Sequence, residues 1–260
     1  MSYVYRIEGP IAHAQPCSAG PWDPGLQHGG APASLIAWAV ERMPMREPMQ
    51  VVRMTFDLLR PIPVAPLEIK IDVTREGRKI QVCNVTLLHE GVACVRATVL
   101  KVRHTDLELP EHVVDKQVIL PGPEQGRETK IRFSSYEQFA TGVTLRSVRG
   151  SFGELGPGAL WFRAHRPIIA DEPITPLMRA AMTGDFCNGV SAVLDFDEWT
   201  FINADLTISL ARMPVGEWIL LDAQTWLGDH GAGIAFAKLG DERGYFGRAI
   251  QSLVIERRVK

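Results

Sequence analysis

The order of secondary-structure signals in this chain runs twice, and that repetition restricts its fold more than any other feature of its 260 residues. Self-similarity on this scale is read before any single element. In the first half, a short strand near Tyr3–Ile7 leads into a Pro/Gly-rich loop, PCSAGPWDPGLQ, and a helix in HGGAPASLIAWAVERM. Strands follow in MQVVRMTFDLLRPIP, LEIKIDVTREG, KIQVCNVTLLHEG and VACVRATVLKVR, separated by the turn sequences REGR and HEGV. A polar, proline-bearing stretch from His104 to about Glu128 reads as a linker. The order then returns: strands in GVTLRSVRG and ALWFRAH, a helix over Pro176–Asn188, and strands in FINADLTISLAR, EWILLDAQTWLG, GAGIAFAKLGD and YFGRAIQSLVIER, with GDHG and DERG in the places of the earlier turns.

Each half therefore offers one long helix followed by an antiparallel meander with short connections. Leu35, Ile36, Ala39, Val40 and Met43 recur at helical period and give the first helix an apolar stripe. Such a stripe must be covered, and the neighbouring sheet is the large surface available. The expected fold is α+β: two tandem hotdog units, each a curved antiparallel sheet wrapped around a central helix. The expected division is 1–104 for the N-terminal unit, 105–131 for the linker and 132–260 for the C-terminal unit.

Composition removes several classes of function. A net charge of −2 with scattered basic residues gives no phosphate-tracking stripe, so nucleic acid is not an expected partner. No apolar run approaches the roughly 20 residues of a membrane span, and MSYVYRIEGPIAHA lacks the pattern of a signal peptide. Cys17, Cys83, Cys94 and Cys187 form no C-x-x-C pair and read as reduced thiols of a cytoplasmic protein. The histidines show no metal-ligand spacing, so neither a metal nor another cofactor is expected. A G-x-S-x-G elbow is absent, which argues against an α/β-hydrolase. Exposed sheet edges leave room for a homodimer.

The residues that interrupt apolar patterns are the candidates for chemistry. Thr175 and Pro176 open the second helix in the preferred cap and first-turn positions. Leu177, Ala181 and Asp185 then share one face, so an apolar stripe ends in a carboxylate. Gln251 alternates with Ala249, Leu253 and Ile255 on one face of the last strand, and a buried amide there needs a polar partner. Alternation also places Asn203, Asp205, Thr207 and Ser209 together on one face of FINADLTISL. In the first half the matching positions are Thr98, Val51 or Val52, and apolar helix residues around Ala37 to Val40. Polar groups gather in one half, as a single active site requires and a structural duplication does not.

With these residues in place, the chain resembles the double-hotdog acyl-CoA thioesterases of the type II (TesB-like) group over nearly its whole length. HGGAPASL, TGDFCNG, FINADLTISLARMPVGEW and GRAIQSLVIERR carry the resemblance by their order and spacing. It implies hydrolysis of a small-molecule acyl-CoA substrate, with a helix Asp, a strand Ser or Thr and a last-strand Gln holding the water. The first and last carry over to Asp185, as general base, and Gln251. The middle position holds Asn203, which can donate to or accept from water; Thr207 is the alternative hydroxyl. His28, Gly29 and Gly30 would meet the acyl group and supply oxyanion donors at a helix N-terminus. The HGG also resembles the start of the central helix in single-hotdog thioesterases. Cys187 is close to Asp185, but no histidine in its motif would activate it. Two other functions fit the same chain. A binding module with a degenerate site is favoured by the missing hydroxyl. An enoyl-CoA hydratase would need Asp and His on one segment, and no such pair occurs near Asp185.

Overall fold

The computed structural model describes residues 2–110, 112–113, 117–129 and 136–258. The first half runs β1 (Tyr5–Glu8), β2 (Ile11–Ala14), α1 (Gly30–Glu41), β3 (Met49–Leu58), β4 (Pro66–Glu76), β5 (Ile80–His89) and β6 (Val92–Arg103). After a short edge strand β7 (Arg127–Thr129), the second half runs β8 (Val143–Arg149), β9 (Gly158–Ala164), α2 (Pro176–Gly184), α3 (Cys187–Val190), β10 (Trp199–Asn203), β11 (Asp205–Leu210), β12 (Trp218–Leu227), β13 (Ala232–Asp241) and β14 (Gly244–Arg257).

The strands form one antiparallel sheet in the order β1-β2-β4-β5-β6-β3-β11-β14-β13-β12-β9-β8-β7, with β10 also paired to β14. Read outward from the β3–β11 seam, the halves match strand for strand: β3, β6, β5, β4, β2, β1 against β11, β14, β13, β12, β9, β8. This is a double hotdog. The seam pairs Ile208 with Met54 and Leu206 with Phe56, all four buried. β2 completes the match and was not visible in the sequence, because IAHA is too short to show a period. The stretch read as a linker ends in structure: Arg127–Thr129 pairs with β8, Val118 and Leu120 pack near Trp161 and Leu220, and Trp161 Nε1 donates to Pro121 O at 2.9 Å.

Both helices lie on the inner face of this sheet and against each other. Burial of α1 goes further than a stripe. Gly30 to Ala37, Ala39 and Val40 are all buried, because the sheet covers one side and α2 the other. The alanines at 31, 33 and 37 let those surfaces approach. α2 starts as its cap residues dictate, with Thr175 Oγ1 accepting from Met178 N at 3.2 Å.

One ion pair away from the helices fixes the far end of the second unit. Arg212 grips Asp241 through Nη1–Oδ2 at 2.5 Å and Nη2–Oδ1 at 2.8 Å, and the N–H groups of Val215, Arg243 and Gly244 donate to the same carboxylate. Burial pushes this carboxyl up, but the bonds from Arg212 and the backbone outweigh it and hold the pKa below its ordinary value. A carboxyl held low contributes stability above the ordinary carboxylate pKa, and that contribution is lost as the pH falls through the folded value. Asp241→Asn should therefore cost about 3 kcal/mol at neutral pH. It should also flatten the loss of stability below about pH 4. Urea unfolding of both proteins at neutral and acid pH checks this.

The segment FINADLTISL is two strands, and the break decides which side chains reach the interior. Asn203 pairs with Leu253 of β14, yet Thr207 pairs with Ile250, so β10 and β11 spend one residue more than β14 over the same span. A bulge of this kind reverses the alternation. Phe201 and Asn203 face inward ahead of it, Leu206, Ile208 and Leu210 behind it. Thr207 and Ser209 consequently point away from the helices, which overturns the single polar face expected from strict alternation.

Candidate active site

α1 and α2 lie side by side, so the start of each meets the end of the other. At one such junction, Asp185, the C-cap of α2, stands against Gly29, the N-cap of α1. The end of a helix repels a carboxylate and the start of a helix attracts one. Asp185 closes α2 but faces the attractive end of α1. It is 5% exposed.

Three side chains converge on this carboxylate. Asn203 Nδ2 donates to Oδ1 at 2.9 Å and Gln251 Nε2 to the same oxygen at 3.2 Å. Gln251 is 0% exposed and also donates to the Asp185 carbonyl at 3.1 Å. Its orientation is set from the other side, where Oε1 accepts from Asn188 N at 3.1 Å. Asn188 Nδ2 in turn donates to Phe201 O, which ties the segment after α2 to β10. His28 Nδ1 lies 2.9 Å from Asp185 Oδ2 and 3.0 Å from Gly30 N. The imidazole packs against Phe186, at 4.5 Å, and Phe139, at 5.2 Å.

Asp185, Asn203, Gln251, His28 and Gly29 are thus brought together from both halves. Gly29 is pressed so close that a Cβ would stand 2.8 Å from each carboxylate oxygen. Gly30 serves differently from expectation, since its N–H is taken by the His28 ring. Thr207 is not in the group; its Oγ1 donates to Thr55 Oγ1 across the seam at 3.2 Å. The sequence-level statement that no histidine accompanies Asp185 holds along the chain and fails in space. His28 arrives from the other unit. The junction at the opposite helix ends corrects a second reading. There Glu41 closes α1 and accepts from Thr175 Oγ1 at 2.6 Å, so the first half does carry an acid, one residue beyond the apolar stretch searched.

A cavity of about 1050 Å³ opens beside the group, walled by Trp22, Ile62, Phe152, Phe186 and Phe201 and reached by His28, Gly29, Asp185 and Asn203. Cys187 is buried behind it; burial and then the neighbouring Asp185 charge push its thiol well up, which removes it as a nucleophile. All four cysteines are buried and unpaired. Among the described residues no cluster of three or more His, Cys, Asp or Glu could hold a metal ion, and no helix is long and apolar enough to cross a membrane.

Residues 18–102 match the family model of the acyl-CoA thioesterase N-terminal domain, and residues 110–255 match that of the C-terminal domain. No curated protein sequence matches the chain. Among solved structures, it is similar to a putative thioesterase II from Thermobifida fusca YX, at 16% identity and a TM-score of 0.75 over 97% of this chain and 94% of that one. A conserved hot dog-fold protein from Alicyclobacillus acidocaldarius superposes with a TM-score of 0.74, at 16% identity over 98% and 96%. Acyl-CoA thioesterase II TesB2 from Mycobacterium marinum gives 0.70, at 16% identity over 97% and 95%.

Proposed function

The chain belongs to the acyl-CoA thioesterase family of thioester hydrolases, and from that premise we propose that it hydrolyses acyl-CoA with a water activated at Asp185. The observation that carries this reading is the buried carboxylate at the wall of the large cavity, held by Asn203, Gln251 and His28.

Asp185 takes a proton from the water as its oxygen attacks the thioester carbonyl carbon. The carbonyl becomes a tetrahedral oxyanion beside the N-terminus of α1, where the helix dipole favours negative charge. The C–S bond then breaks, the electron pair leaves with sulfur as thiolate, and the proton held by Asp185 passes to the thiolate or to solvent. Asn203 and Gln251 both donate to Oδ1, which fixes the carboxylate in rotation. Asn203 thus fills the hydroxyl position of the resemblance as a donor. Because these donors are already in place, they hold the reacting groups without reorganising.

The test is release of free thiol from acyl-CoAs of short, medium, long and aromatic acyl groups, with CoA binding measured alongside. Turnover of at least one supports hydrolysis; tight binding with turnover of none makes the chain a binding module. Asn203→Ala should lower kcat/KM by about tenfold or more, the effect of losing a hydrogen bond to a charged group. Thr207→Val should leave it unchanged, because that hydroxyl lies on the far face.

A further inference from the structure

At the far end of α1 from Gly29, a second cavity of about 610 Å³ opens between loop 42–46 and the inner face of β4 and β5. Met43, Met45, Ile71 and Val73 form its walls, Gln81 lines it, and Arg42 and Arg46 stand at its edge. The two halves differ at this place. After α2, residues 185–198 intervene before β10, and α3 within them covers β12, with Ser191 Oγ 2.8 Å from Thr225 Oγ1. After α1, residues 42–48 lead straight into β3 and nothing equivalent to α3 is present among the described residues. Ile71 and Val73, on the strand that matches β12, are left 37% and 41% exposed.

A second, independent feature of the groove is an unpartnered acceptor. Gln81 is 2% exposed, and its Oε1 has no hydrogen-bond partner among the described residues. A buried amide oxygen in that condition is unfavourable until a donor reaches it. Its cross-strand neighbour Lys101 does not serve it: Lys101 Nζ donates to Val40 O at 2.7 Å. The edge supplies charge. Arg46 is 83% exposed and meets Glu76 at 3.4 Å, a solvent-screened pair that leaves the guanidinium available to an anion.

We propose that this groove binds an amphiphilic anion with an amide N–H beside an apolar chain. The chain lies against Met43, Met45, Ile71 and Val73, the N–H donates to Gln81 Oε1, and the anionic end meets Arg46. An N-acyl amino acid has this chemistry, and so does the phosphopantetheine arm of coenzyme A. The groove lies outside the cavity beside Asp185, so the inference does not rest on the hydrolytic reading and fails or stands separately from it.

Calorimetric titration of the whole chain with N-octanoylglycine and, separately, with 4′-phosphopantetheine tests the proposal, and whichever binds identifies the source. Gln81→Leu should weaken binding about tenfold and at the same time raise the unfolding temperature of the free protein, because the orphaned acceptor is gone. Arg46→Ala, on the surface, should weaken N-octanoylglycine and leave the uncharged N-octanoylglycinamide unaffected. Binding of neither probe overturns the proposal. So does equal affinity in wild type and Gln81→Leu, which would put the ligand elsewhere.

Discussion

Gly29→Ala is expected to lower hydrolysis by about 10²-fold, the scale of misplacing a reacting group by an ångström, and to cost some stability through the hydrogen bond that must break. The added Cβ would stand 2.8 Å from both oxygens of Asp185, closer than a Cβ can be held. The carboxylate is not free to turn aside. Asn203 and Gln251 fix one oxygen and His28 the other, so any accommodation breaks a hydrogen bond in the group. The backbone itself accepts alanine, since Gly29 has φ −59° and ψ −25°. Thiol-release kinetics and thermal unfolding of the same preparation separate the two effects: activity falls by about 10²-fold while the protein still unfolds cooperatively, at a lower temperature. An active Gly29→Ala protein would mean that the carboxylate does not work from this position.

Asp185→Asn should have the larger effect, about 10³-fold or more, the scale of losing a general base. The fold should survive. An asparagine there keeps the shape, and its oxygen still accepts from Asn203 and Gln251. What changes is the other side. The new amide N–H₂ faces His28 Nδ1, the acceptor of the Gly30 N–H, in place of a carboxylate oxygen. The variant therefore loses the base while the side chains around it keep their places. His28→Gln separates the histidine's contribution from that of the base. A loss much smaller than that of Asp185→Asn makes the histidine an orienting group, and a comparable loss makes the pair act as one unit.

The fold was legible because its evidence is repetition. Long strands such as Ile80–His89 and Val92–Arg103 alternate over enough residues to show their period, and their turns recur in both halves. β2 and β7, of four and three residues, are too short for that, and β7 sits in polar sequence that pairing alone converts into strand. Asp185 and Gln251 were legible as polar residues interrupting apolar faces. Asn203 was found for an incomplete reason: alternation grouped it with Thr207, and the bulge at Ala204 separates them. No local pattern in FINADLTISL announces that bulge. It depends on Asn203 and Thr207 keeping register with a strand some fifty residues later. His28 could not be tied to Asp185 from sequence, since the contact spans both units. The one signal was HGG at the start of a helix in the opposite half, which is where pseudo-twofold packing of two antiparallel helices puts it.

The central claim is direct attack by a water that Asp185 activates, and single-turnover hydrolysis in H₂¹⁸O with enzyme in excess tests it most directly. The account predicts one ¹⁸O atom in the released acid, stoichiometric free thiol, and no label in the peptide that carries Asp185. Label in that peptide would show the carboxylate attacking the thioester itself through an anhydride, and would contradict the account, as would the absence of thiol release.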